Sequence, residues 1–66
     1  MAPSTKQALA ASLKKLLEKK NLDDITVKEL VEDCEVNRQT FYYHFQDIYD
    51  LLHWFLDNET NQALKN

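Results

Sequence analysis

The side chains best suited to chemistry in this sequence are crowded between positions 38 and 44. Arginine can bond guanine through two N–H groups, glutamine can do the same with adenine, and tyrosine hydroxyls and protonated histidine reach phosphate oxygens. No acidic residue falls between positions 36 and 46, so a polyanion could approach this stretch without repulsion. This chemistry predicts double-stranded DNA as the ligand. The residues concerned are Arg38, Gln39, Thr40, Tyr42, Tyr43 and His44.

Catalytic and metal chemistry have little support. Cys34, His44 and His53 lie nine or ten residues apart and lack the paired spacing of a zinc site. No nucleophile, base and orienting group appear together. We therefore expect no enzymatic activity, no cofactor and no metal, and we interpret Cys34 as a small buried residue.

The overall charge opposes binding to nucleic acid, but its distribution answers part of the objection. The net charge is −3, whereas lysine and arginine supply most non-specific affinity for phosphate. Residues 1–20 hold five lysines and one glutamate, or +4 (5 − 1), and residues 39–64 hold four acidic residues and no lysine or arginine. The opening segment is therefore the part that suits phosphate.

Composition also limits the compartment. The one cysteine cannot form an internal disulfide, and no apolar run approaches the roughly 20 residues needed to span a bilayer. The first residues lack the pattern of a signal peptide. We expect a soluble cytoplasmic domain with no membrane partner.

The elements that must position the polar cluster are all predicted to be helices, since the chain has no glycine, one proline and many strong helix formers. Ser4 and Gln7 have the spacing of a capping box and predict a first helix over about 5–20, with a leucine stripe on one face. Asn21 is expected to end it in the left-handed conformation.

Three further helices follow from similar signals. A second capping box, Thr26 with Glu29, predicts a helix over 27–34, and an Asn37 cap predicts a third over 38–45. Phe41 and Phe45 lie four residues apart and are predicted to face the core. Asp47 opens a fourth helix over 48–63. The predicted fold is therefore all-α, a single domain over 1–66 with a three-helix helix-turn-helix unit and the start of a fourth, connecting helix.

The residues themselves resemble a known family. The stretch 26–51, TVKELVEDCEVNRQTFYYHFQDIYDL, resembles the TetR family of bacterial repressors, in which a capped second helix precedes a Thr-x-Tyr-x-x-Phe reading helix, here Thr40, Tyr42 and Phe45. The similarity extends back to Thr5. The aromatic-rich stretch 41–55, FYYHFQDIYDLLHWF, is similar to regulators of dihydroxyacetone kinase operons.

The resemblance implies roles for individual residues. Base-reading positions of the family are occupied here by Arg38, Gln39 and Tyr43. Positions that commonly contact phosphate are occupied by Lys6, Thr26, Asn37, Thr40, Tyr42 and His44. This sequence departs from the pattern at Glu35 and Gln39, where glycine is usual or frequent, and at Ile48, where a phosphate-binding lysine is common.

The resemblance also implies a larger protein. Family members continue past the fourth helix into a domain that dimerises and binds a small inducer, and we expect that domain to lie outside this chain. We expect a homodimeric repressor that binds a palindromic operator in the full-length protein, with this chain alone a mostly monomeric and weak binder.

The main alternative is a protein-protein interaction module. Tyr49, Trp54 and Phe55 could form an aromatic surface on helix 48–63, with the acidic balance keeping nucleic acid away. This alternative predicts no salt-dependent binding to DNA, so a salt titration separates the two hypotheses.

Overall fold

The computed structural model describes the backbone of residues 4–65 and the side chains of residues 4–58. Within that part every element of regular secondary structure is a helix, which confirms the predicted fold class. It consists of α1 (Thr5–Leu17), a 3-10 helix (Leu22–Asp24), α2 (Val27–Asp33), α3 (Arg38–His44) and α4 (Ile48–Lys65). None of the described helices combines the length and the apolar character needed to cross a membrane.

The start of α1 follows the prediction and its end does not. Ser4 and Gln7 form both hydrogen bonds of the capping box. The helix ends at Leu17, three residues before the predicted end at Lys20, because the N–H groups of Lys19 and Lys20 both donate to the Leu16 carbonyl and tighten the chain into a turn.

The prediction that Asn21 is left-handed is wrong. Its backbone is extended, with φ −75° and ψ 155°, and it directly precedes the 3-10 helix. A turn over residues 18–20 ends α1 before Asn21, so a left-handed residue at Asn21 is not needed to end the helix.

The turn between α2 and α3 contains the left-handed residue instead. Glu35 has a φ of 60° and is the one positive-φ residue in the described part of the chain. The Val36 N–H donates to the Val31 carbonyl at 3.0 Å, which is the six-to-one bond of a Schellman motif. Glutamate therefore occupies a position that normally favours glycine.

Side-chain caps begin the three remaining α-helices, as predicted. Thr26 and Glu29 form the second capping box. The Asn37 side chain accepts the Thr40 N–H at 2.8 Å, and the Asp47 side chain accepts the Asp50 N–H at 2.8 Å. The short helices α2 and α3 thus have their first turns fixed by local bonds, each worth about 1 kcal/mol.

The core lies where the helices meet, with α1 packed against both α2 and α4, and α2 against α3. Phe41 of α3 is fully buried and Phe45 nearly so, which confirms that both face the core. Leucines of the other helices surround them. The buried apolar residues are Leu9, Ala10, Leu13, Ile25, Leu30, Val31, Phe41, Phe45 and Leu51.

Candidate nucleic-acid interface

Helix α3 has one buried side and one side open to solvent. Arg38, Gln39, Tyr42 and Tyr43 are all exposed, and residues four apart in a helix are neighbours, so the four form one continuous surface. Tyr43 is 85% exposed, whereas Phe41, two residues earlier, is fully buried. We call these four residues the outer face of α3.

The outer face has the charge and chemistry that its residue types predicted. Arg38 is its one charged group, and none of its side chains forms a hydrogen bond with another described residue. Arginine and glutamine N–H groups and two phenol hydroxyls are therefore available to an external ligand. These groups can form hydrogen bonds with the edges of bases in a major groove and with the phosphates beside it.

Asn37 and Thr40, both predicted to contact phosphate, are hydrogen-bonded to each other. The Asn37 Oδ1 atom accepts from the Thr40 N–H and also from the Thr40 hydroxyl, at 2.9 Å. The Thr40 proton is thereby used, and the Asn37 amide nitrogen keeps its two donors. Of the pair, Asn37 is better placed to donate to an anion.

Tyr42 and His44 flank the outer face. Tyr42 is 53% exposed, and its ring meets Phe41 edge to face at 5.2 Å between centroids, which leaves the hydroxyl at the surface. His44 is half-buried between Tyr43 and Phe45, with ring centroids at 5.1 and 6.3 Å. Neighbouring rings thus hold both side chains at the border of α3.

Thr26 lies apart from the outer face and is already engaged. Its hydroxyl is bonded to the Glu29 N–H and lies 3.4 Å from the Glu29 carboxylate. Lys20 donates a short hydrogen bond to the same carboxylate and holds the pKa of Glu29 below its ordinary value. A phosphate at Thr26 would meet a carboxylate that stays ionised at neutral pH.

Lys6 lies at the other border of α3, over two aromatic rings. Its Nζ atom is 5.8 Å from the centre of the Phe45 ring and 5.9 Å from that of Trp54. Both distances fall within the range of a cation–π contact. The ring of Trp54 also meets that of Phe45, at 6.2 Å between centroids.

The remaining lysines of α1 are less available than their number suggests. Lys15 forms an ion pair with Asp33 at 2.7 Å, and the buried Ser12 hydroxyl donates to the same carboxylate at 2.7 Å. These two donors, Lys15 first, lower the pKa of Asp33. With Lys20 bonded to Glu29, two of the five early lysines hold α1 and the turn after it against α2.

The spacing of residues in the sequence did not predict these ion pairs. Ser12 and Asp33 are 21 residues apart and Lys15 and Asp33 are 18 apart, so no local spacing indicates either contact. A carboxylate in the last turn of α2 faces the negative end of the helix dipole, which is unfavourable without a partner. The unfavourable position of Asp33 was therefore a signal in the sequence that a cation packs against it.

Comparison with known proteins identifies the family to which this chain belongs. The sequence model of the bacterial regulatory proteins of the tetR family matches residues 8–53, a span that runs from α1 into α4 and includes the whole outer face. The chain belongs to the TetR family. The resemblance in the sequence is thereby confirmed.

The relatives include the subgroup that the aromatic stretch indicated. The chain is 31% identical over 62 residues to the HTH-type dhaKLM operon transcriptional activator DhaS of Lactococcus lactis, covering 94% of this chain and 33% of that protein. It is 38% identical over 56 residues to the HTH-type transcriptional regulator EthR of Mycobacterium tuberculosis, covering 85% and 26%. A solved structure of the dihydroxyacetone kinase operon activator DhaS superposes with a TM-score of 0.80 over 83% of this chain and 31% of that one.

The matched relatives are named as transcriptional regulators, and regulators of the TetR family are not enzymes. Members of the family are typically dimeric. The chain spans about a quarter to a third of the length of the relatives it matches. Within the described residues, no group of three or more histidine, cysteine, aspartate or glutamate side chains is arranged to hold a metal ion.

The departures from the family pattern have visible structural positions. Glu35 is exposed in the turn, and Ile48 is partly buried against the core at the start of α4. A lysine at position 48 would have to turn its ammonium outward from that site. Both departures make the charge beside α3 less positive, and the described side chains of α4 include no lysine or arginine to offset this.

The aromatic residues of α4 do not form one surface. Tyr49 is exposed, and its hydroxyl donates to Asp23 at 3.1 Å, which raises the pKa of Tyr49. Trp54 and Phe55 are partly buried against the core. Since positions five and six residues apart lie on different sides of a helix, these rings do not combine into the continuous patch that a protein-protein interaction module would need.

Proposed function

We propose that this chain is the helix-turn-helix part of a TetR-family regulator and binds double-stranded DNA with α3 in the major groove. The observation that carries the proposal is the outer face of α3: four exposed polar side chains, in a stretch with no acidic residue from position 36 to 46, on a helix anchored from behind by Phe41. A major groove admits one helix with its side chains directed at the base edges.

Within this proposal, Arg38, Gln39 and Tyr43 read bases, because the resemblance places them at base-reading positions and all three are exposed. Tyr42, His44 and the amide nitrogen of Asn37 contact phosphates on either side. Thr26 and Thr40 contribute mainly through the caps they form, because the hydroxyl proton of each is directed at a side-chain oxygen of the same cap. Lys6 supplies a cation beside the C-terminal end of α3, where its Nζ lies 5.8 Å from the centre of the Phe45 ring.

The full-length regulator is proposed to be a homodimer on a palindromic operator, with half-sites about one helical turn apart. Its ligand-binding and dimerisation domain would bind a small inducer. An open groove of about 240 Å³ between α1 and α4 supports the idea that more protein packs here, since two partly buried aromatic rings line it. The lining residues are Gln7, Ala10, Ala11, Lys14, Trp54, Phe55 and Asn58.

We propose repression as the direction of control, as the resemblance implies. DhaS is named as a transcriptional activator, so a reporter assay with the chosen operator decides the sign. Loss of expression when the regulator is supplied supports repression, and a gain of expression overturns it.

The proposal is tested by selecting bound duplexes from a random pool with the intact regulator or a tethered dimer of this chain. The expected result is an enriched inverted repeat. A pool that stays unenriched, together with binding that does not weaken as salt rises, contradicts DNA recognition.

Two substitutions then separate the reading of bases from contact with phosphates. Tyr43→Ala should reduce discrimination among operators, with a loss of about 1–3 kcal/mol confined to the preferred base pairs. Lys6→Ala should weaken binding to all duplexes alike and reduce the salt slope by about 1. An equal loss on every sequence for Tyr43→Ala would contradict a base-reading role.

A further inference from the structure

Lys6 occupies an unfavourable place for a cation by local rules. It lies in the first turn of α1, where the helix dipole is positive and where no acidic residue offsets it. Among the described side chains, Lys6 forms no ion pair with a carboxylate. Its position must therefore depend on contacts from outside its own helix.

Those contacts come from two different elements. Phe45 follows the last residue of α3 and is nearly buried, and Trp54 lies in the second turn of α4. The Lys6 ammonium is almost equidistant from the two rings, at 5.8 and 5.9 Å. A cation attracted by both ring faces has fewer accessible side-chain positions than a lysine in solvent.

The aromatic pair leaves the ammonium chemically available. A cation–π contact is an attraction to the ring quadrupole and uses none of the three N–H donors in an ordinary hydrogen bond. Those donors can still reach a phosphate oxygen. Lys6 also lies beside the C-terminal end of α3, because Phe45 directly follows His44.

From these observations we propose that Trp54 is a positioning residue for DNA binding. With Phe45, it holds the Lys6 ammonium beside α3 in the place where a DNA phosphate is bound, and it does so without touching the DNA. The inference rests on the proposed function. It also makes the phosphate contact depend on α4, since a shift of Trp54 changes the position of the cation.

The test is a double-mutant cycle of Lys6→Met and Trp54→Leu, measured as affinity for a labelled mixed-sequence duplex of about two helical turns. Non-specific duplex is sufficient, because phosphate contacts do not depend on sequence. Trp54→Leu should lower affinity about two- to five-fold, the range of an exposed cation–π contact. In the Lys6→Met background the same substitution should have no further effect.

Trp54→Phe is the matched control, because it keeps an aromatic ring at this position. It should restore most of the affinity and leave the salt slope unchanged, whereas Lys6→Met should lower the slope by about 1. Independent, multiplicative losses in the cycle would overturn the inference. Thermal unfolding of each variant shows whether Trp54→Leu alters the fold.

A second measurement tests the inference even if Trp54→Leu does not fold, because it uses the unsubstituted chain. The ε-methylene protons of Lys6 should be shifted upfield by the ring currents of Phe45 and Trp54 in the free chain, and the shift should persist when duplex is added. Absence of the shift, or its loss on binding DNA, overturns the inference. If the shift is present but no duplex binds in a salt-dependent manner, the proposed function itself fails.

Discussion

The outer face of α3 and the contact between α1 and α2 use polar residues in opposite ways. At the α1–α2 contact, Lys15 and Ser12 both bond to Asp33, and Lys20 in the turn after α1 bonds to Glu29. On the outer face of α3 the polar groups have no partners among the described residues. The first arrangement stabilises the scaffold, and the second leaves donors for a ligand.

This contrast changes the meaning of the basic opening segment. The +4 charge of residues 1–20 suggested a surface for phosphate, yet Lys15 and Lys20 neutralise carboxylates of α2. Lys6 is held at the aromatic pair. The charge counted from the sequence therefore overestimates the positive surface available to DNA. The proposed DNA binding depends on the few groups around α3.

The largest expected effect separates the two sides of α3. Phe41→Ala should cost about 3–5 kcal/mol, because it removes a fully buried ring from the centre of the core. A chain of this size has only about 3–10 kcal/mol of stability in total, so much of the protein should be unfolded.

Tyr43→Ala is the matched control on the exposed side and should change the free energy of unfolding by less than about 0.5 kcal/mol. Urea unfolding followed by circular dichroism measures both. Comparable losses in the two variants would contradict the division of α3 into a core side and an outer face.

A smaller effect is expected in the turn between α2 and α3. Glu35→Gly should stabilise the fold by about 1 kcal/mol, because a residue with a β-carbon at a φ of 60° carries a steric cost that glycine avoids. Thermal unfolding measures the gain. Glu35→Ala removes the same charge but keeps the β-carbon, so a similar gain in both variants would assign the effect to charge instead of to backbone conformation.

The smallest effect concerns the ion pairs at the α1–α2 contact. The pKa values of Asp33 and Glu29 are lowered in the folded chain below their ordinary 3.8 and 4.5. The folded state thus binds fewer protons than the unfolded state in this range. The resulting stability is fully present above about pH 5 and is lost as the pH falls through the lowered values.

Asp33→Asn should flatten the acid side of the stability profile in urea unfolding series between about pH 3 and 6. Asp57→Asn is the control, since it removes the same charge from an exposed side chain with no contact to Lys15 or Ser12. An unchanged profile in Asp33→Asn would show that other carboxylates control acid unfolding.

The local part of this fold could be predicted from the sequence, and the tertiary part could not. Caps three residues apart, such as Ser4 with Gln7, follow from spacing alone, as does the burial of Phe41 and Phe45. The distance between Lys6 and Trp54 in the sequence gives no such pattern. The predicted end of α1 and the predicted conformation of Asn21 were wrong because a turn over residues 18–20 ends the helix before Asn21.

The candidate site shows the same division. The outer face of α3 was indicated by residue type and by the absence of acidic neighbours. The engagement of Thr26 with Glu29, and of Glu29 with Lys20, depends on how α2 meets the turn after α1. That contact was not visible in the sequence, so the resemblance alone placed Thr26 among the phosphate contacts.

The central claim, that the outer face of α3 binds DNA, is tested most directly by titrating duplex into isotope-labelled chain and mapping the NMR shift changes. The account predicts the largest changes at Arg38, Gln39, Tyr42 and Tyr43, with Lys6 also affected and the side chains of Lys15 and Lys20 nearly unchanged. Changes concentrated on the lysines of α1, with α3 unaffected, would contradict it.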